Sequence, residues 1–190
     1  MYLIFDTETT GLPQSWHAPI SDSDNWPRLV QIAWLQYDDS EREIGGRSYI
    51  IKPEGFGIPQ EAVDIHGIST ERAGAEGHLL EDILNEFSNA VGQSEVLVAH
   101  SLDFDEKIVR AELFRKNIQD NVSGIRKICT MESSTNFCEL PGNYGYKWPK
   151  LSELHHKLFD TIFEDAHDAS VDAATCAKCF FELKKRGIID

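Results

Sequence analysis

Three short runs rich in apolar, β-branched and aromatic residues fall within the first 52 positions, and beyond them each strand-like run is separated from the next by a helical pattern. The early runs are Tyr2 to Phe5, Leu29 to Tyr37 and Arg47 to Lys52, the last two joined by an acidic turn that ends in Gly45-Gly46. Runs this close in sequence read as an antiparallel meander. A Gly- and Pro-rich loop and the segment Val63 to Glu71 follow. From about His78 to Val91 the apolar positions Leu80, Ile83, Leu84, Phe87 and Val91 then recur at helical spacing. Glu95 to Ala99 reads as a strand, Phe104 to Lys116 as a helix, Ile125 to Thr130 as a short last strand, and Leu151 to Leu158 as a helix after a polar loop to Pro149. The final helix is the best marked: Asp168 can cap its start, Lys184, Lys185 and Arg186 fill its last turn, and Gly187 stands just past its end. Strands first, then alternating helices and strands, predict an α/β layer arrangement around a mixed sheet.

The chain has 190 residues, 41% hydrophobic and 26% charged, which suits one globular domain with a substantial core. MYLIFDTE reaches an acidic group after five positions and has no basic leader, and no apolar segment is as long as a bilayer demands. The expectation is a cytoplasmic protein with no membrane partner. Cys129, Cys138, Cys176 and Cys179 have no secretory context for bridges. The one CxxC pair, Cys176 and Cys179, shares a helical stripe with Phe180 and Leu183, so core thiols are expected rather than zinc ligands. The net charge of −14 argues against tight duplex binding, because affinity for a polyanion comes largely from phosphate neutralisation. It leaves open a nuclease whose acidic site is neutralised by divalent cations. Lys107, Arg110, Arg115, Lys116, Arg126 and Lys127 form a local basic stretch that reads either as a strand path or as a solvated helix face.

Three acidic constellations carry the chemistry. Asp6 and Glu8 are two apart on a strand, so both point the same way, separated by roughly 7 Å along its axis. Such a pair serves equally as a metal site or as an exposed strand end. In His100-Ser101-Leu102-Asp103-Phe104-Asp105 a buried strand stops and a helix starts, the position where α/β folds put ligands. Local physics leaves Asp103 and Asp105 as alternatives, since either can simply cap the helix. In His167-Asp168-Ala169-Ser170-Val171-Asp172, the last aspartate stands four residues before Cys176 on the inward stripe of the final helix. A carboxylate facing inward needs a partner or a metal.

Together these pieces resemble the DEDD exonucleases of the ribonuclease-H-like fold, in the branch with a histidine in the last motif. FDTETTGL, AHSLDFD and HDASVD stand in the family's order, and the resemblance runs from Ile4 to Leu183. PRLVQIAW and DIHGIS also look like the proofreading epsilon-type subunits of bacterial replicative polymerases. The resemblance implies a mixed five-stranded sheet flanked by helices, in a single exonuclease domain over residues 1–190. It selects Asp105 over Asp103, because the second motif ends Phe-Asp. The chain departs from the family at Ser101, where Asn is usual.

The resemblance further implies that Asp6, Glu8, Asp105 and Asp172 hold two Mg²⁺ or Mn²⁺ ions, which prefer oxygen ligands and can clamp an in-line phosphodiester hydrolysis. His167 is then the general base, histidine being the side chain that exchanges protons near neutral pH. Thr9, His66 and Phe104 match positions that touch the terminal nucleotide, Phe104 offering an apolar face beside a base. The expected partners are 3′ ends of single-stranded or mismatched DNA, cut to 5′-mononucleotides, and the likeness to proofreading subunits leaves room for a replication or repair partner. The alternatives are an RNA-trimming exonuclease with the same catalytic set and an inactive module that binds nucleic acid or protein. A phosphatase opening on D-x-D would need Asp at position 8, where Glu stands. The chain stops three residues after Gly187, without the extension that usually joins an epsilon subunit to its polymerase, which sets the expectation of a free-standing enzyme.

Overall fold

The computed structural model describes residues 1–162 and 167–190. A five-stranded sheet has the order β3-β2-β1-β4-β5, formed by β1 (Tyr2–Thr9), β2 (Leu29–Tyr37), β3 (Glu43–Ile50), β4 (Val96–Ala99) and β5 (Arg126–Cys129). The first three strands pair antiparallel, whereas β4 runs parallel to both β1 and β5. The sheet is therefore mixed and five-stranded. The helices are α1 (Gln60–His66), α2 (Thr70–Glu76), α3 (Leu80–Gly92), α4 (Leu102–Arg115), α5 (Thr130–Cys138), α6 (Leu151–Phe159) and α7 (Ala169–Lys185). A two-stranded hairpin, β6 (Pro141–Gly142) and β7 (Gly145–Tyr146), stands between α5 and α6. No helix of the described residues is long and apolar enough to cross a membrane.

Central strand β1 is covered on both faces, which is why its sequence is a continuous apolar run rather than an alternating one. Leu3 and Phe5 join Trp34 of β2 and Leu84, Phe87, Ile108 and Val109 of α3 and α4 in one core. Ile4 joins Val98, Leu154, Cys176, Cys179 and Phe180 in a second core under α6 and α7. Phe87 has no exposed surface and packs 5.3 Å from the Phe5 ring. Burying such a side chain fully contributes about 1.5–3 kcal/mol. All four cysteines are buried with free thiols, and burial pushes Cys179 up to about 12. The stripe of Cys176, Cys179, Phe180 and Leu183 faces the interior as the spacing requires.

Several boundaries differ from the sequence expectation. β1 continues to Thr9, through the acidic residues, because its backbone stays paired with β2 as far as Leu29. β3 begins at Glu43 and runs through Gly45-Gly46, which the sequence suggests is a turn. A Cβ at Gly46 would stand 2.6 Å from Leu35 Cδ2, so the glycine permits close strand pairing. The reversal is made instead by Asp38, whose Oδ1 accepts the backbone N–H groups of Ser40 and Arg42. The segment from Val63 to Glu71 falls across α1 and α2. α5 is also unanticipated, since its Ser- and Thr-rich sequence reads as loop. Its hydroxyls donate back to carbonyls four residues earlier, Ser134 to Thr130 and Thr135 to Met131, so they do not compete with the helix.

Candidate active site

The sheet itself brings the acidic residues together. Asp6 and Glu8 follow Ile4 on the face of β1 that α7 covers, opposite Ala33 and Gln31 of β2. Ala33 packs against Ala169 and Ala173, and these small side chains let the first turns of α7 approach the strands. Gln31, 4% exposed, fixes that approach by accepting the Ala169 N–H at 3.1 Å. Asp168 caps α7 by accepting the Ser170 N–H. One turn on, Asp172 is 8% exposed and looks onto β1. Directly after Glu8 the β1–β2 register shifts, an irregularity of the kind that re-aims side chains beside functional sites.

From the other side, β4 ends at Ala99 and α4 starts at Leu102, which carries Asp105 to the same place. Asp105 is 2% exposed and its Oδ1 accepts the Thr7 hydroxyl at 2.6 Å, so the residue between Asp6 and Glu8 holds it. Asp105 Oδ2 has no hydrogen-bond partner among the described residues. Asp103 turns outward and pairs with Lys107 at 2.7 Å. Geometry thus separates the two aspartates that local sequence left equivalent.

Asp6, Glu8, Asp105 and Asp172 line one cleft of about 610 Å³, together with Thr7, Leu12, His100, Ser101, Phe104, Lys150, Leu151 and His167. Candidate ligand atoms of Glu8, His167 and Asp172 lie within 4.8 Å of one another. His167 reaches this position from an exposed, left-handed backbone conformation, φ 45°. The carboxyls carry a strong electrostatic signature. Burial, then repulsion from Asp105, Glu8 and Asp172, holds Asp6 well above the usual carboxylate range. Burial and repulsion from Asp172 and Asp105 push Glu8 up to about 8. Burial pushes Asp105 up to about 7 against the opposing pull of its Thr7 hydrogen bond. Clustered carboxyls that resist ionisation in a cleft are the pattern of a functional site. A partnerless buried oxygen among them fits a hard divalent cation.

The exonuclease family model, RNase_T, matches residues 3–180. The chain belongs to the exonuclease family. Its ribonuclease-H-like fold and histidine-bearing DEDD motif order are those of that family. Over 98% of its length it is 29% identical to a DNA polymerase III subunit epsilon-like protein of Rhodobacter capsulatus, and it spans 25% of that protein. Over 84% it is 25% identical to a PolC-type DNA polymerase III of Staphylococcus haemolyticus, of which it spans 10%. The exonuclease fold is similar to that of E. coli exonuclease I solved with a dT13 oligonucleotide. The TM-score is 0.76 at 18% identity, over 97% of this chain and 41% of that one. A zinc-bound form of the E. coli exonuclease I–ssDNA complex gives 0.74 at 20% identity.

The residues expected to touch a nucleotide divide. Phe104 is half-buried, lines the cleft and packs 5.7 Å from the Trp16 ring. Thr9 lines an adjoining cavity of about 380 Å³ shared with Thr7, Glu8, Leu12, Ile65 and Phe104. The Thr9 hydroxyl is committed to the loop, donating to Gly11 O at 2.7 Å. His66 accepts the Ile68 N–H at Nδ1, which puts its proton on Nε2. Burial holds His66 below its usual 6.5, the Thr9 carbonyl opposes this, and nearby His167 adds to it.

The ion pairs of the basic stretch favour the solvated-face reading. Lys107, Arg110, Lys116 and Lys127 pair with Asp103, Glu106, Asp120 and Glu54, while Arg126 donates to Asp190 O. Arg115 and Arg28 flank fully buried Glu112, which also accepts the Leu29 N–H and so ties α4 to the start of β2. Sequence reasoning missed Thr7, Gln31 and Lys150. Thr7 and Gln31 lie inside matched motifs but have no signal of their own, and Lys150 falls in a stretch that reads as loop.

Proposed function

We propose that this chain is a metal-dependent 3′→5′ exonuclease that removes 5′-mononucleotides from the 3′ ends of single-stranded or mismatched DNA. The observation that carries the reading is the convergence of Asp6, Glu8, Asp105 and Asp172 with His167 in one cleft, the carboxyls of Asp6, Glu8 and Asp105 resisting ionisation and Asp105 Oδ2 lacking a partner among the described residues. The four carboxylates would hold two Mg²⁺ or Mn²⁺ ions, with Glu8 and Asp172 nearest His167. When bound, the ions supply charge neutralisation and Lewis-acid activation at the phosphodiester. His167 takes the proton of the attacking water at its imidazole. Thr7 orients the Asp105 carboxylate, Gln31 and Asp168 hold the start of α7, and Phe104 and Leu12 offer apolar surface to the terminal base. The DNA preference is supported by the relatives named as DNA polymerase III proteins and by the oligonucleotide complexes of the E. coli structures.

The test is digestion of 3′- and 5′-labelled 20-mers of DNA and RNA, single-stranded and as mismatched primers, with Mg²⁺, Mn²⁺ or chelator. Mononucleotides should leave the 3′ end first, DNA should be cut faster than RNA, and chelator should stop the reaction. Folded Asp172→Ala and His167→Ala proteins should each lose at least about 100-fold in rate. Full activity in chelator, or in both variants, would overturn the reading.

A further inference from the structure

The segment between α5 and α6 holds aromatic surface that packing alone does not require. Tyr144 at the hairpin tip is 103% exposed relative to an extended reference, Trp148 62% and Tyr146 51%. Three large aromatics exposed within five residues is unusual, since such rings gain most by burial. The segment is nonetheless held firmly. Lys147 N–H donates to Leu140 O, extending the hairpin pairing, and Lys147 Nζ pairs with Glu153. Lys150 N–H donates to the other Glu153 oxygen, Oε2, at 2.8 Å. Pro149 is buried, and its carbonyl accepts from His100 Nε2, a ring that itself lines the acidic cleft. The aromatic arm is thus fastened to the cleft wall at Pro149.

Its last residue lines the cleft. Lys150 is the one lysine or arginine among the described residues lining the cavity of Asp6, Glu8, Asp105 and Asp172. The six cations of the basic stretch are engaged elsewhere in the protein. A strand of phosphodiesters approaching a chain of net charge −14 therefore meets its local positive charge here. Aromatic faces followed by a cation at the mouth of a catalytic cleft are the elements of a single-strand track, where bases stack irrespective of sequence and lysine neutralises phosphate.

We infer that residues 144–150 form an arm that holds the single strand upstream of the scissile bond, Tyr144 and Trp148 stacking on bases and Lys150 meeting a phosphate. The inference rests on the nuclease reading above, and the experiment separates the two. Hydrolysis of (dT)12 is compared with that of thymidine 5′-monophosphate p-nitrophenyl ester, which is too short to reach the arm. Tyr144→Ser/Trp148→Ser should lower kcat/KM on (dT)12 about tenfold or more, with the small ester changed less than twofold. Lys150→Gln should raise KM for (dT)12 severalfold at 50 mM salt and less at 300 mM salt. Binding of fluorescent (dT)12 in Ca²⁺, read by anisotropy, reports on the arm without hydrolysis and should weaken in step in both variants. Equal (dT)12 turnover and equal binding in wild type and the double variant would overturn the arm. Wild-type protein that hydrolyses neither substrate would overturn the nuclease reading instead, leaving the anisotropy comparison to decide the arm.

Discussion

Replacing Asp105 by Asn should stabilise the metal-free protein at pH 8 while abolishing cleavage. Asp105 titrates at about 7 in the folded chain against an ordinary 3.8, so it is a group whose folded pKa is raised. The stability associated with it is fully present below pH 3.8 and is lost as pH rises through 7. At about 1.36 kcal/mol per pH unit, ionising this carboxyl in its buried place costs about 4 kcal/mol at pH 8. Asparagine removes that cost and keeps an oxygen to accept the Thr7 hydroxyl. It puts an amide N–H₂ where Oδ2 has no partner, a loss of about 1–3 kcal/mol. The net gain is about 1–3 kcal/mol at pH 8, vanishing near pH 5, where the wild-type penalty falls to about 1.6 kcal/mol. For a chain of this size 2 kcal/mol corresponds to a rise in Tm of about 4–8 °C. Thermal melts with chelator at pH 5 and pH 8, and with 10 mM Mg²⁺ at pH 8, make the comparison. Magnesium should reverse the order, because ion binding stabilises the wild type more than the variant. An Asn variant no more stable than wild type in chelator at pH 8 would refute the electrostatic reasoning.

Thr7→Val keeps the shape of the strand but removes the hydroxyl that holds Asp105. Urea melts should show a loss of about 1–2 kcal/mol, with 3′-end cleavage reduced at least tenfold. Ala173→Leu forces bulk between α7 and Ala33 of β2. It should cost about 1–3 kcal/mol and lower Mn²⁺ affinity in calorimetry, because Asp172 moves with the helix. Glu112→Ala leaves Arg115 and the Leu29 N–H without their buried partner. A Tm unchanged from wild type would contradict the expected loss of about 3–5 kcal/mol.

Much of the site was legible because its residues fall where periodic elements end. The D-x-E of Asp6 and Glu8 and the stripe through Asp172 and Cys176 follow from strand and helix periods alone, and those periods survive in the structure. The choice of Asp105 over Asp103 did not follow from them. Both stand in the first turn of α4; the family resemblance favours Asp105, and the physical reason is its contact with Thr7, 98 positions away, while Asp103 pairs with Lys107. The ion pairing along Lys107 to Lys127 was hidden for a similar reason. Sequence shows the cations but not the acids, Glu54 and Asp120 among them, that the fold sets against them.

Side-chain period and element order, which depend on near neighbours, by themselves determined the mixed α/β architecture and the placing of acidic residues at the ends of its elements. The family resemblance named the four carboxyls, but tertiary structure alone decided what holds each in place, how strongly Asp6, Glu8 and Asp105 resist ionisation, and that Lys150 lines the same cleft. These depend on burial and through-space repulsion between residues as far apart as Asp6 and Asp172, and no local pattern encodes a distance across a sheet.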